Sequence, residues 1–143
     1  MANRDLSRQE ALNKAEYYCA RAEHCAADVR RKLYEWGVPS AWFDEIESYL
    51  YNADFLNDAR FCHAYVHDKV AYQSWGRLKI QAGLQALHLP SAEIREALAD
   101  IDEETYFANL RSLIAQRRND PEEKRLRFLL QRGFSYEEIQ KCK

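Results

Sequence analysis

Residues 29–43 read VRRKLYEWGVPSAWF, residues 80–94 read IQAGLQALHLPSAEI, and residues 125–139 read RLRFLLQRGFSYEEI. Val29, Leu33, Val38, Pro39, Ser40 and Phe43 return 51 positions later as Ile80, Leu84, Leu89, Pro90, Ser91 and Ile94. A further shift of 45 carries Leu84, Leu89 and Ile94 onto Leu129, Phe134 and Ile139. Gly37 and Gly133 hold equivalent places, with His88 in the middle copy. Apolar residues four apart, a residue suited to a left-handed turn, then a fresh apolar series describe a helix, a sharp stop and a second helix. The sequence is therefore read as a recurring helical unit.

The flanking segments extend each unit to three helices. Ser7 with Glu10 forms a capping box ahead of Leu12, Ala15, Cys19 and Ala22 on one face. A helix from about Asp58 carries Phe61, Cys62, Tyr65, Val66 and Val70 and breaks at Trp75–Gly76. Another opens at Asp102–Glu103–Glu104, carries Phe107, Leu110 and Ile114 inward, and ends in Arg117 and Arg118, charges that oppose its dipole. Asp120–Pro121–Glu122–Glu123 reads as a cap, a first-turn proline and a closing acid before Leu126, Leu129 and Leu130. Ser135 and Glu138 box the last helix. The expected fold is all-α: tandem three-helix repeats in three copies, about nine helices, forming an elongated curved array. The repeats are placed at residues 1–54, 55–101 and 102–143. One such unit hardly buries its apolar face alone, so neighbours must stack.

Composition agrees. The chain has 143 residues, 47% apolar and 31% charged, a folded-protein balance, while four Gly and three Pro are too few for a turn-rich β fold. No apolar run reaches membrane-spanning length, and the N-terminus lacks the basic start and apolar stretch of a signal peptide, so a cytoplasmic location is expected. Cys19, Cys25, Cys62 and Cys142 form no CxxC pair and read as small hydrophobes rather than a disulfide framework. His63 and His67 are four apart, but HAYVH lacks the acid of a zinc-protease helix. No phosphate-cradling glycine loop or nucleophile constellation is present. No catalytic residue, metal or cofactor is assigned, and the protein is read as a non-enzyme without a small-molecule substrate.

Charge is uneven although the total is only −2. Residues 1–76 hold nine basic and twelve acidic groups, whereas residues 111–132 hold seven basic and three acidic ones. Arg125 and Arg132 fall where the first two copies carry Val29 and Trp36, and Ile80 and Leu87. Either this helix is rotated to bury Leu126, Leu129 and Leu130 with Phe128 outward, or the former core face is open. The basic, aromatic-bearing end is the candidate partner surface: Arg77, Lys79, Arg111, Arg117, Arg118, Lys124, Arg125, Arg127, Phe128 and Arg132.

Several segments resemble the RecX regulatory proteins. Cys25–Ala–Ala–Asp28–Val29 through Trp36–Gly37 is similar to that family's first repeat, and Phe55–Leu56–Asn57–Asp58–Ala59–Arg60–Phe61 to its leucine–acid–acid–x–arginine–phenylalanine signature. Trp75–Gly76–Arg77–Leu78–Lys79–Ile80 followed by Leu84 resembles its glycine-led second repeat, and Lys124 to Ser135 its closing arginine–glycine–phenylalanine segment. Cys25 stands where the family often has Ser, Asn57 replaces the first acid, and His88 replaces a glycine. The resemblance implies a regulator of homologous recombination, DNA repair and the SOS response. Such a regulator binds the RecA–DNA filament and mostly inhibits its ATPase, strand-exchange and co-protease activities, with DNA bound weakly by the regulator alone. A second reading is a stand-alone helical nucleic-acid-binding module using residues 111–132, which the near-neutral total charge disfavours.

Overall fold

A computed structural model describes residues 6–143, and among these every regular element is helical. The helices are α1 (Arg8–Arg21), α2 (Ala26–Glu35), α3 (Phe43–Asn52), α4 (Asp58–Gln73), α5 (Arg77–Ala86), α6 (Ser91–Ala99), α7 (Glu103–Gln116), α8 (Glu122–Gln131) and α9 (Tyr136–Lys141). A single 3₁₀ turn, Ser40–Trp42, precedes α3. Two compact units are present, one ending at Phe61 and one spanning Cys62–Lys143; the division falls in the first turn of α4.

The same helix stop is built three times. After α2, α5 and α8 the chain enters the left-handed region at Gly37 (φ 76°), His88 (φ 63°) and Gly133 (φ 101°). The amide of each donates three residues back, to Tyr34, Gln85 and Leu130, at 3.0 Å in every copy. The next amide donates to the fifth residue before it: Val38 to Leu33 (2.9 Å), Leu89 to Leu84 (3.3 Å) and Phe134 to Leu129 (3.2 Å). These paired bonds satisfy carbonyls that a helix end would otherwise strand, and they set where the third helix departs. The apolar positions follow: Leu33, Leu84 and Leu129 are buried, as are Val38, Leu89 and Phe134. The tandem three-helix repeat expected from the sequence is the architecture found.

In the first unit Ala11, Ala15, Cys19, Val29, Leu33, Val38, Ile46, Leu50 and Leu56 form one core, edged by Trp36, Trp42, Phe43 and Tyr51. Both expected capping boxes that open on serine are present, at Ser7–Glu10 and Ser135–Glu138. Cys25 opens α2, with its amide donating to the Asp28 carboxylate at 3.3 Å. Cys19, Cys25 and Cys62 are buried, and burial pushes the Cys19 and Cys25 thiols up to about 11.

Three details depart from the sequence reading, and a fourth decides between the two registers it left open for α8. The inner stripe of α7 is Tyr106, Leu110 and Leu113 rather than Phe107, Leu110 and Ile114, because the Tyr106 hydroxyl finds half-buried polar partners, the Arg77 amide and the Glu138 carboxylate, that Phe107 could not use. Arg117 and Arg118 lie just beyond α7 instead of in its last turn. Asp120 does not cap α8; Pro121 holds that position, and Asp120 turns toward Arg117 at 3.5 Å. Finally, α8 is not rotated. Leu129 is buried, Leu126 half-buried and Leu130 exposed, so Arg125 and Arg132 keep the repeat's inward register; both are half-buried, Arg125 donating to the Asp120 carbonyl and Arg132 to the Gln73 carbonyl.

Replacing His88 with glycine removes the steric cost of a left-handed non-glycine residue, about 1 kcal/mol. The His88→Gly protein should melt about 3 °C higher by circular dichroism, as expected for a chain of this size. An unchanged or lower midpoint would show that the imidazole makes a compensating contact.

Candidate functional site

In the second unit, two glycines bring α5 and the α8–α9 turn into backbone contact. The Gly76 amide donates to the Arg132 carbonyl at 2.8 Å, and the Leu78 amide to the Gly133 carbonyl at 3.0 Å. A Cβ added at Gly76 would lie 2.2 Å from the Gly133 carbonyl carbon, and one at Gly133 would lie 2.5 Å from Lys79 Cβ. Neither position has room for a side chain.

A polar clasp reinforces this junction. Tyr106 is 1% exposed; its hydroxyl accepts from the Arg77 amide at 2.9 Å and donates to Glu138 at 3.1 Å. Arg77 donates to Glu138 at 2.8 Å, approaches Glu103 at 3.4 Å, and lies 4.1 Å over the Tyr106 ring. Phe134 packs against the same ring at 5.3 Å. Burial raises the Tyr106 phenol well above its usual range, so the hydroxyl stays protonated and able to donate.

Around the junction, cations and aromatic rings alternate. Lys69 and Lys79 place their ammonium groups 4.5 and 4.3 Å from the Trp75 ring. Lys79 Cβ adjoins Gly133, and next to that glycine Arg132 donates to the Gln73 carbonyl while lying 5.7 Å from Phe128. Arg117 covers Phe128 at 3.8 Å and pairs with Asp120. The result is a ridge running Lys69–Trp75–Lys79, then Arg132–Phe128–Arg117. Its rings hold flexible cations in defined positions, which lowers the entropy lost when they meet an anion. On α8, Lys124 and Arg127 are exposed beside Phe128.

The residues singled out from the sequence thus divide by environment. Lys79, Arg117, Phe128 and Arg132 meet in the ridge, with Lys124 and Arg127 adjoining in sequence and Arg118 exposed in the turn after α7. Arg77 is occupied by the clasp. Arg125 donates to the Asp120 carbonyl at 3.3 Å and lines a shallow cleft with Ile114, Leu126, Leu129 and Ile139. Arg111 lies apart, with Glu103, Glu104, Phe107 and Lys141. Lys69 and Trp75 were not among the candidate surface residues; Trp75–Gly76 was read as a helix break and as the start of the glycine-led repeat motif. Among the described residues, no group of three or more His, Cys, Asp or Glu converges as metal ligands would.

A helical-repeat protein bearing a cation–aromatic surface is suited to gripping a large anionic or mixed-charge partner. The family model for the second three-helix domain of RecX matches residues 57–98, which cover α4 to α6. The regulatory protein RecX of Geobacillus kaustophilus (strain HTA426) is 29% identical over 92% of this chain, and the chain spans about half (52%) of that relative's length. The regulatory protein RecX of Herminiimonas arsenicoxydans is 26% identical over 89% of this chain and 86% of its own. A crystal structure of regulatory protein RecX superposes with a TM-score of 0.77 over 99% of this chain and 80% of its own, at 20% identity. RecX from Lactobacillus salivarius gives a TM-score of 0.77 over 94% and 93%, also at 20% identity, a likeness of fold. The chain resembles the RecX regulatory proteins in family model, sequence and fold, as its motifs indicated.

Tyr106→Phe removes the hydroxyl that joins Arg77 to Glu138 and strands a buried amide. The loss should be about 1–3 kcal/mol in urea unfolding, with helicity retained. A stability equal to that of the parent would mean the clasp contributes nothing.

Proposed function

We propose that this protein regulates homologous recombination by binding the RecA–DNA filament and restraining its ATPase, strand-exchange and co-protease activities. Three repeats, divided near residues 54 and 101, carry the contact surface, and the protein acts in the cytosol without catalysing a reaction. The single observation carrying this reading is the ridge of Lys69, Trp75, Lys79, Arg132, Phe128 and Arg117 on a fold whose relatives bear the name regulatory protein RecX.

The physical requirement is modest. A blocker that binds the assembled filament more tightly than free subunits shifts the filament's behaviour by that difference alone. Stacked repeats spread many weak contacts over several subunits, so affinity accumulates without a deep pocket. Positive groups at Lys79, Arg117, Arg118, Lys124, Arg127 and Arg132 supply the attraction to filament DNA or an acidic recombinase surface. The acidic first 76 residues hold down affinity for bare DNA.

The test is a titration of RecA ATPase on single-stranded DNA. The parent protein should lower the rate, and Lys124→Glu with Arg127→Glu should require about tenfold more protein for half-inhibition while helicity is unchanged. No effect of the parent on the ATPase, or equal potency of the double variant, would overturn the reading. Micromolar, strongly salt-dependent binding to DNA without RecA would favour the stand-alone nucleic-acid module instead.

A further inference from the structure

A cleft of the second unit, whose lining includes none of the ridge residues, lies among α4, the end of α6 and the first turn of α7. Its volume is about 450 Å³, and it is lined by His63, Val66, His67, Val70, Ala71, Ala97, Asp100, Ile101, Asp102 and Thr105. Val66, Val70 and Ala97 are buried residues of α4 and α6 and provide a fixed apolar floor. The rim is different in character. Asp100 and Asp102 contribute two carboxylates to the lining, which contains no lysine or arginine.

Among the described residues, neither carboxylate forms an ion pair with a lysine or arginine. Asp100 meets only the His63 imidazole, Nδ1 to Oδ2 at 3.6 Å, and its side chain is 78% exposed. Asp102 accepts from the Thr105 amide at 3.0 Å and from its hydroxyl at 2.6 Å, which holds the carboxyl below the usual range and therefore ionised. An apolar floor beneath a doubly anionic rim matches one kind of group: a cation on an aliphatic stem. The methylenes cover the floor while the charged head stays at the rim, the same division of labour that long basic side chains adopt on protein surfaces. The mouth is open, as a side chain reaching in from another backbone requires.

We infer that this cleft receives an arginine or lysine side chain of a protein partner, making it a second docking point of opposite charge to the ridge. Arginine is the better fit of the two, because its planar fork satisfies paired carboxylates with less loss of freedom than an ammonium does. A protein that presents cations at one face and accepts them at another holds a mixed-charge polymer in a fixed orientation, since a reversed approach would set like charges together. This inference stands on the cleft alone and survives if the partner proves not to be RecA.

The test uses the full chain and three capped dipeptides: acetyl-leucyl-arginine amide, its citrulline counterpart, and acetyl-leucyl-lysine amide. Amide shifts are followed by two-dimensional NMR. The arginine peptide should move Ala71, Ala97, Ile101 and Thr105 with millimolar affinity, the lysine peptide should bind more weakly, and the uncharged citrulline peptide at least about fivefold more weakly. Asp100→Asn and Asp102→Asn should each weaken the arginine peptide severalfold; asparagine keeps the helix cap at position 102, so α7 remains in place. Equal binding of the citrulline peptide, shifts confined to other surfaces, or full binding to both asparagine variants would overturn the assignment. Tighter binding of free spermidine than of any peptide would overturn the choice of a protein side chain as the occupant.

Discussion

The second unit depends on a contact between two stretches of backbone with no side chain between them. Gly76 and Gly133 approach so closely that a single methyl on either would displace main chain. Two amide–carbonyl bonds cross the gap, and they fix the start of α5 against the turn after α8. What surrounds the contact is consequence. Tyr106 fills the space behind it, Arg77 and Glu138 close the polar edge, and Phe134 seals the apolar one. The ridge inherits its geometry from the same place, because Lys79 Cβ adjoins Gly133 and the Arg132 carbonyl accepts from the Gly76 amide.

The division between structural and available cations follows from this arrangement. Arg77 is a strongly charged residue in a basic stretch, yet its guanidinium is committed to two carboxylates and an aromatic face. Replacing it would unmake the clasp before it altered any surface. Lys124 and Arg127, on the outer side of α8, have no such commitment to a carboxylate, and their charge is presented to whatever approaches. Net charge by segment, which first drew attention to residues 111–132, does not separate these cases; the environment of each side chain does.

Most of the architecture was legible because helix stops are chemical as well as hydrophobic events. Gly37 and Gly133 advertise the left-handed residue that the turn demands, and His88 could be aligned to them from its neighbours Leu84, Leu89 and Ile94. The register of α7 was harder to read. Phe107 and Tyr106 are both aromatic, and only the distant Glu138, a partner far along the chain, decides that the tyrosine turns inward. The α8 register was likewise hidden, since three leucines argue for one face and the repeat for another. The arginines take the repeat's inner register half-buried, each donating to a backbone carbonyl, of Asp120 for Arg125 and of Gln73 for Arg132. Lys69 and Trp75 escaped notice because they lie before the glycine and join the basic segment only when α5 docks on the last turn.

Trp75 has one more consequence. Of the chain's three tryptophans it alone lies beyond residue 62, and its indole sits between two ammonium groups. Any ligand that draws Lys69 or Lys79 away changes the electric field across that ring, and with it the colour and yield of its emission. The molecule therefore carries a built-in optical probe within the surface through which it would grip its target.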